Sequence, residues 1–166
     1  MLNRRLLLLG LLPLAGCGYR PLYGTANDSR GVVTSMAAVS IPEAEDRLTQ
    51  IIRNDLLSTM RPAGTAAEDR YTLLLKTEFK KSDVIDKPLP ATTRKSAQVT
   101  VSYELTGQRG EGTLTKGRTF SHVSYDLVRQ PFADMQAETN AIERAAHEVS
   151  QDIRTRLAAY FASREG

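Results

Sequence analysis

RKSAQVTVSYELT, residues 94–106, places Ala97, Val99, Val101, Tyr103 and Leu105 on one parity and Ser96, Gln98, Thr100, Ser102 and Glu104 on the other. A period of two, built from β-branched and aromatic residues, is the pattern of a strand with one face in the core and one face out. The stretch before it repeats the pattern. In YTLLLKTEFK, residues 71–80, Tyr71, Leu73, Leu75 and Phe79 alternate with Thr72, Lys76, Glu78 and Lys80. Half-buried strands of this kind pair antiparallel. The stretch after it, GTLTKGRTFSHVSYDLV at 112–128, follows a glycine-rich turn. There Leu114 and Phe120 share one parity and Val123, Tyr125 and Leu127 the other, which predicts a bulge near Gly117. A fourth strand is expected in VVTSMAAVSI, residues 32–41, ended by Pro42.

Two segments carry the helical period instead. In DRLTQIIRNDLLSTM, residues 46–60, Leu48, Ile51, Ile52, Leu56 and Met60 recur at steps of three and four, and Pro62 and Gly64 close the run. From Phe132 to Phe161, Ile142, Ala145, Ala146, Val149, Ile153, Leu157, Tyr160 and Phe161 form a second apolar stripe, with Pro131 suited to the first turn. At about 1.5 Å per residue this helix is roughly 43 Å long, and a strand over 94–106 at about 3.4 Å per residue is roughly 44 Å. The matched lengths predict an α+β two-layer sandwich: a four-stranded, mostly antiparallel sheet with two helices on one face, in the order β-α-β-β-β-α.

The N-terminal segment has a different character. MLNRRLLLLGLLPLAGC combines a basic head at Arg4 and Arg5, an apolar run and small residues before Cys17, the only cysteine. That is the order of a secretory signal peptide, too short to cross a bilayer, which takes about 20 residues. The run Leu14-Ala15-Gly16-Cys17 resembles the bacterial lipobox, in which the cysteine sulfur receives a diacylglycerol and becomes the first residue of the mature chain. Two or three acyl chains hold a protein at a membrane almost permanently, at about 0.8 kcal/mol per buried CH₂. The expected division is therefore 1–16 signal peptide, 17–31 lipidated N-terminus and Gly/Pro-containing tether, and 32–166 a single domain. Gly18 rather than Asp after the cysteine implies, by analogy with enterobacterial sorting, delivery to the outer membrane.

Charge and chemistry narrow the function further. Once Arg4 and Arg5 leave with the signal, the 22 basic and 19 acidic residues become 20 against 19. A nucleic-acid binder keeps a strong basic excess, so that partner class is set aside. With Cys17 consumed and only His122 and His147 present, no metal set of accepted spacing can be drawn, and no metal or cofactor is expected beyond the covalent lipid. There is no G-x-S-x-G elbow, the glycines of GQRGEG join two strands rather than opening a helix, and Glu143 and Glu148 read as helix-surface charges. The expectation is a protein that is not an enzyme.

CGYRPLYG at 17–24, DRLTQIIRNDLL at 46–57 and SYDLVRQPFADMQAETNAIERAAHEVSQDIRTRLAAYF at 124–161, in this order, resemble the alphaproteobacterial branch of the LptE family of lipopolysaccharide-assembly lipoproteins. The resemblance implies a non-catalytic, periplasm-facing outer-membrane lipoprotein. It implies a plug inside a large, LptD-like β-barrel that helps the barrel assemble and binds lipopolysaccharide on its way to the outer leaflet. A structural or chaperone-like lipoprotein subunit of another envelope complex is the alternative. No ligand residue is carried over from the family.

From the residues themselves, FKKSDVIDKPLPATTRK at 79–95 gathers Lys80, Lys81, Lys87, Arg94 and Lys95 around one hairpin end, against Asp83 and Asp86. Clustered cations can take over the metal bridging of lipid A phosphates, or meet a barrel wall. A solvated hairpin end that uses charge to block edge pairing reads the same way. The ladder Ser96, Gln98, Thr100, Ser102 and Glu104 suits either a polar barrel lumen or plain solvent. The anchor is open to a direct check: metabolic labelling with a clickable fatty acid is predicted to mark the wild-type chain and to leave Cys17→Ala unlabelled.

Overall fold

The computed structural model describes residues 27–61, 67–84, 93–108, 111–127 and 130–165. Their elements follow one another as α1 (Asn27–Ala37), β1 (Val39–Ser40), α2 (Arg47–Met60), β2 (Tyr71–Val84), β3 (Thr93–Gly107), β4 (Thr113–Leu127) and α3 (Pro131–Glu165). The strands form one sheet in the order β1-β2-β3-β4, with β1 parallel to β2 and the other two pairs antiparallel. This is the expected α+β sheet-and-helix architecture, with one helix more than expected. Among the described residues no helix is long and apolar enough to cross a membrane.

Register sets the core. Leu73 lies opposite Leu105, Leu75 opposite Tyr103 and Phe79 opposite Val99, while Ala97 faces Val123 across the other ladder. The odd-numbered side chains of all three long strands thus share one face, and α3 lies on it. Ser121 of β4 donates to Glu148 of α3 at 2.5 Å, and the Tyr125 hydroxyl donates to Glu138 at 3.3 Å. Val99, Val101 and Leu105 from β3 and Val149, Ile153 and Leu157 from α3 are essentially inaccessible, as are Ile52 and Leu56 from α2. Ala141, Ala145, Ala146 and Ala158 are buried as completely, which lets neighbouring elements approach α3 closely. At its C-terminal end Phe161 packs against Tyr71, with ring centroids 5.1 Å apart.

α2 is positioned by local chemistry at its N-terminus and midway along its length. Asp46 is its N-cap, accepting from the Thr49 N–H at 2.9 Å and from the Thr49 hydroxyl at 2.6 Å. Arg53 donates to the carbonyls of Ile41 and Pro42, fixing the helix to the chain leaving β1. On the side turned to α3, Asp55 meets His147 at 3.0 Å.

Three expectations are corrected. The strand expected over 32–41 is mostly helix, and only Val39 and Ser40 pair, with Tyr71 and Thr72. Val32 and Met36, four residues apart, are buried in the core, whereas Val33 is 39% exposed. A short apolar run fits both periods, and packing of this helix on α3 selects the helical one. α1 begins at Asn27, ahead of the expected end of the tether at residue 31. The bulge lies at Leu114 rather than Gly117, because pairing passes from Leu105 with Thr115 to Thr106 with Thr113. β4 then runs regularly, so Phe120 points away from the helices and is 67% exposed.

Gly117 answers to a different requirement. It sits directly opposite Tyr103, whose ring lies against it on the helix-covered face, and a Cβ added there would come 2.5 Å from the Tyr103 hydroxyl oxygen. Because Tyr103 is buried, it cannot swing aside freely. Gly117→Ala is predicted to destabilise the fold by about 1–3 kcal/mol, the usual scale of overpacking. In a double-mutant cycle with Tyr103→Leu most of that penalty should disappear, read as thermal or denaturant unfolding.

Candidate functional site

Strand parity separates the basic residues that the sequence groups together. Lys80 and Arg94 are exposed on the helix-free face, Lys80 level with Gln98 and Arg94 pairing Asp126 at 3.1 Å. Lys81 and Lys95 lie on the helix-covered side. Lys81 forms an ion pair with Glu138 of α3 and places its ammonium 5.7 Å from the Phe79 ring centroid. Lys87 and Cys17 fall outside the described residues. The hairpin cluster is therefore divided between two surfaces, and its helix-side half is engaged in holding α3.

A different set converges on the helix-free face. Reading across the sheet, Lys76, Ser102 and Arg118 form one row, and Leu74, Glu104 and Lys116 the next. The short Ser102 side chain on the central strand leaves a trough of about 530 Å³ between the longer chains on β2 and β4. Glu78 receives a hydrogen bond from Arg118 at 3.4 Å across the central strand, and Thr113 donates to Glu104. Three cations thus ring the trough against one lining carboxylate, while Leu74, 47% exposed, adds an apolar wall. Such a surface can bind a phosphorylated, partly apolar ligand through charge-assisted hydrogen bonds. Nothing in the sequence spacing joins Lys76 to Lys116 and Arg118. The available signal was shared outward parity, and it becomes a location only once the register is known.

The polar ladder of β3 occupies this same face, with Ser96 and Thr100 nearly inaccessible below the flanking strands' side chains. No helix covers it among the described residues, whereas the opposite face is closed by α3 and α2.

At the α3 N-terminal end, Glu138 is held below the ordinary glutamate range. The hydrogen bond from Lys81 is the largest cause, opposed by burial and assisted by the Lys81 charge, Tyr125 and Lys95. A depressed folded-state value contributes stability that is complete above the ordinary carboxylate range and fades as pH falls through the lowered value. Glu138→Gln is accordingly predicted to lower the melting temperature near neutral pH, with the gap to wild type narrowing as pH falls from about 7 to below the ordinary carboxylate range. Equal gaps at both ends of that range would assign the effect to packing rather than charge.

Comparison with known proteins rests on this geometry. The family model for LptE, lipopolysaccharide-assembly, matches residues 33–157. A crystal structure of a lipoprotein from Caulobacter crescentus superposes with a TM-score of 0.65 at 25% identity, covering 80% of this chain and 97% of that one. A minor lipoprotein from Acinetobacter baumannii has a TM-score of 0.53 at 15% identity, covering 73% of this chain and 88% of its own. The rare lipoprotein B from Shewanella oneidensis gives 0.52 at 16%, with 73% and 92% covered, and these last two speak to the fold alone. No curated protein sequence matches the chain at a significant level. With most of its length, helices and sheet alike, matched by one family model, the chain belongs to the LptE family of lipopolysaccharide-assembly proteins.

Proposed function

We propose that the protein is held at the periplasmic face of the outer membrane by acyl chains on Cys17. There it sits within a large, LptD-like β-barrel, supports that barrel's assembly, and receives lipopolysaccharide on its way to the outer leaflet. Family membership supports the general role in lipopolysaccharide assembly. The observation that carries the finer reading is the helix-free face of the sheet, polar along β3 and cationic where Lys76, Lys116 and Arg118 surround Ser102.

The physical case has two parts. A barrel lumen is polar, and a sheet face of serine, threonine, glutamine and paired charges can contact it without burying apolar surface. Lipid A phosphates repel one another and are ordinarily bridged by divalent metal. Three fixed cations supply the same neutralisation, and Arg118 can engage a phosphate through two parallel N–H bonds. The role is binding and hand-over, with no bond made or broken by the protein.

The test replaces Lys76, Lys116 and Arg118 together by alanine. Affinity for purified lipopolysaccharide is predicted to fall by at least about tenfold, equivalent to about 1.4 kcal/mol, and the deficit should shrink at high salt. Affinity isolation from mildly solubilised outer membranes should still recover a one-to-one complex with a large barrel protein. Wild-type affinity in the triple variant would remove the trough from the mechanism, and recovery of the chain without any barrel would remove the plug.

A further inference from the structure

β2 has an open edge. β1 pairs only with Tyr71 and Thr72, so among the described residues the strand from Leu73 to Val84 has no neighbour on that side. Behind this edge, on the helix-covered side, a groove of about 230 Å³ separates the start of α2 from β2 and α3. Leu48 and Ile51 of α2, Phe79 of β2 and Ile142 of α3 line it, and all four are only partly buried, Phe79 being 37% exposed. Thr77 lies on its wall with a hydroxyl oxygen that is inaccessible to solvent and has no hydrogen-bond partner among the described residues. Apolar surface left open beside an unsatisfied polar atom is a poor end state for a core and a ready one for a ligand.

The charges around the edge select the ligand. Arg47 stands at the groove mouth, and Lys76 and Lys80 project from the other face of the same strand. None of these three makes an ion pair among the described residues. Lys81 lies beside Phe79, balanced by Glu138, and Asp46 on the groove lining spends its carboxylate on Thr49. An apolar slot with a cationic edge in front of it suits an acyl chain attached to an anionic head. Lys76 and Thr77 are consecutive residues, so one ligand crossing the β2 edge reaches the trough on one side and the groove on the other.

We propose that this groove takes one acyl chain of lipopolysaccharide while the phosphorylated saccharide lies across the β2 edge onto Lys76 and its neighbours. This rests on the reading of the protein as a lipopolysaccharide carrier.

The test uses the full chain carrying Cys17→Ala, free of its own acyl groups, with two probes: intact lipopolysaccharide and its fully deacylated, still phosphorylated saccharide. Wild type is expected to bind the intact probe at least about tenfold more tightly than the saccharide. Ile51→Trp, which fills the groove, should bring the two to within about threefold while leaving saccharide affinity unchanged. The smaller filler Ile142→Phe should move in the same direction and serves if the tryptophan variant does not fold. Equal binding of both probes by wild type, or an undiminished preference in a folded filled variant, overturns the groove and leaves the carrier reading standing. Binding of neither probe fails the carrier reading itself.

Discussion

The buried alanines of α3 set how near the longest helix can come to the rest of the molecule. Ala141, Ala145, Ala146 and Ala158 are wholly inaccessible, interleaved with Val149, Ile153 and Leu157. Small side chains bring the helix backbone close to its neighbours, and the larger ones then fill the gaps between Val99, Val101 and Leu105. α1 and α2 both pack on α3 more than on the sheet, so they inherit their positions from it. The groove beside β2 is a consequence. α2 follows α3 rather than β2, and the far half of β2 keeps part of its apolar side open at Phe79.

The long elements are legible in the residues because their periods run unbroken. β3 holds strict alternation from Ala97 to Leu105, and α3 and α2 repeat apolar residues through several turns. The reading fails where the period is short. Residues 32–41 satisfy both a two-residue and a four-residue spacing, and contact with α3, which lies far away in sequence, breaks the tie. The bulge falls elsewhere because register places Phe120 on the helix-free face, where its aromatic ring stands exposed. Gly117 is not the site of the bulge; it accommodates the ring of Tyr103.

The candidate site shows the same limit more sharply. Lys80, Lys81, Arg94 and Lys95 look like a cluster because they are near in sequence, yet neighbours in a strand point to opposite faces. Lys81 is spent on Glu138 and Arg94 on Asp126. The cations that do meet, Lys76, Lys116 and Arg118, come from strands separated by the whole of β3. Which of many outward-facing charges share a row depends on the pairing register, a tertiary quantity that no local pattern encodes.

The sheet also bears on the kind of partner such a molecule suits. Among the described residues, a helix-free face and unpaired stretches along β2 and β4 make three surfaces of a kind that natural proteins ordinarily cover or guard. β2 is guarded by Lys76, Lys80 and Lys81, but β4 between Thr119 and Tyr125 carries no Lys, Arg, Asp or Glu. A flat partner would cover one of these surfaces and leave the others as they are. An enclosing one meets the open face and both edges together, and its polar inner wall needs no large apolar patch to bind. The geometry therefore favours a lumen over a flat docking surface for the partner proposed above. Within the barrel proposed above, the cationic trough and the β2 groove would flank one edge of the domain, where a narrow space between sheet and wall would hold a lipid's head and chain apart.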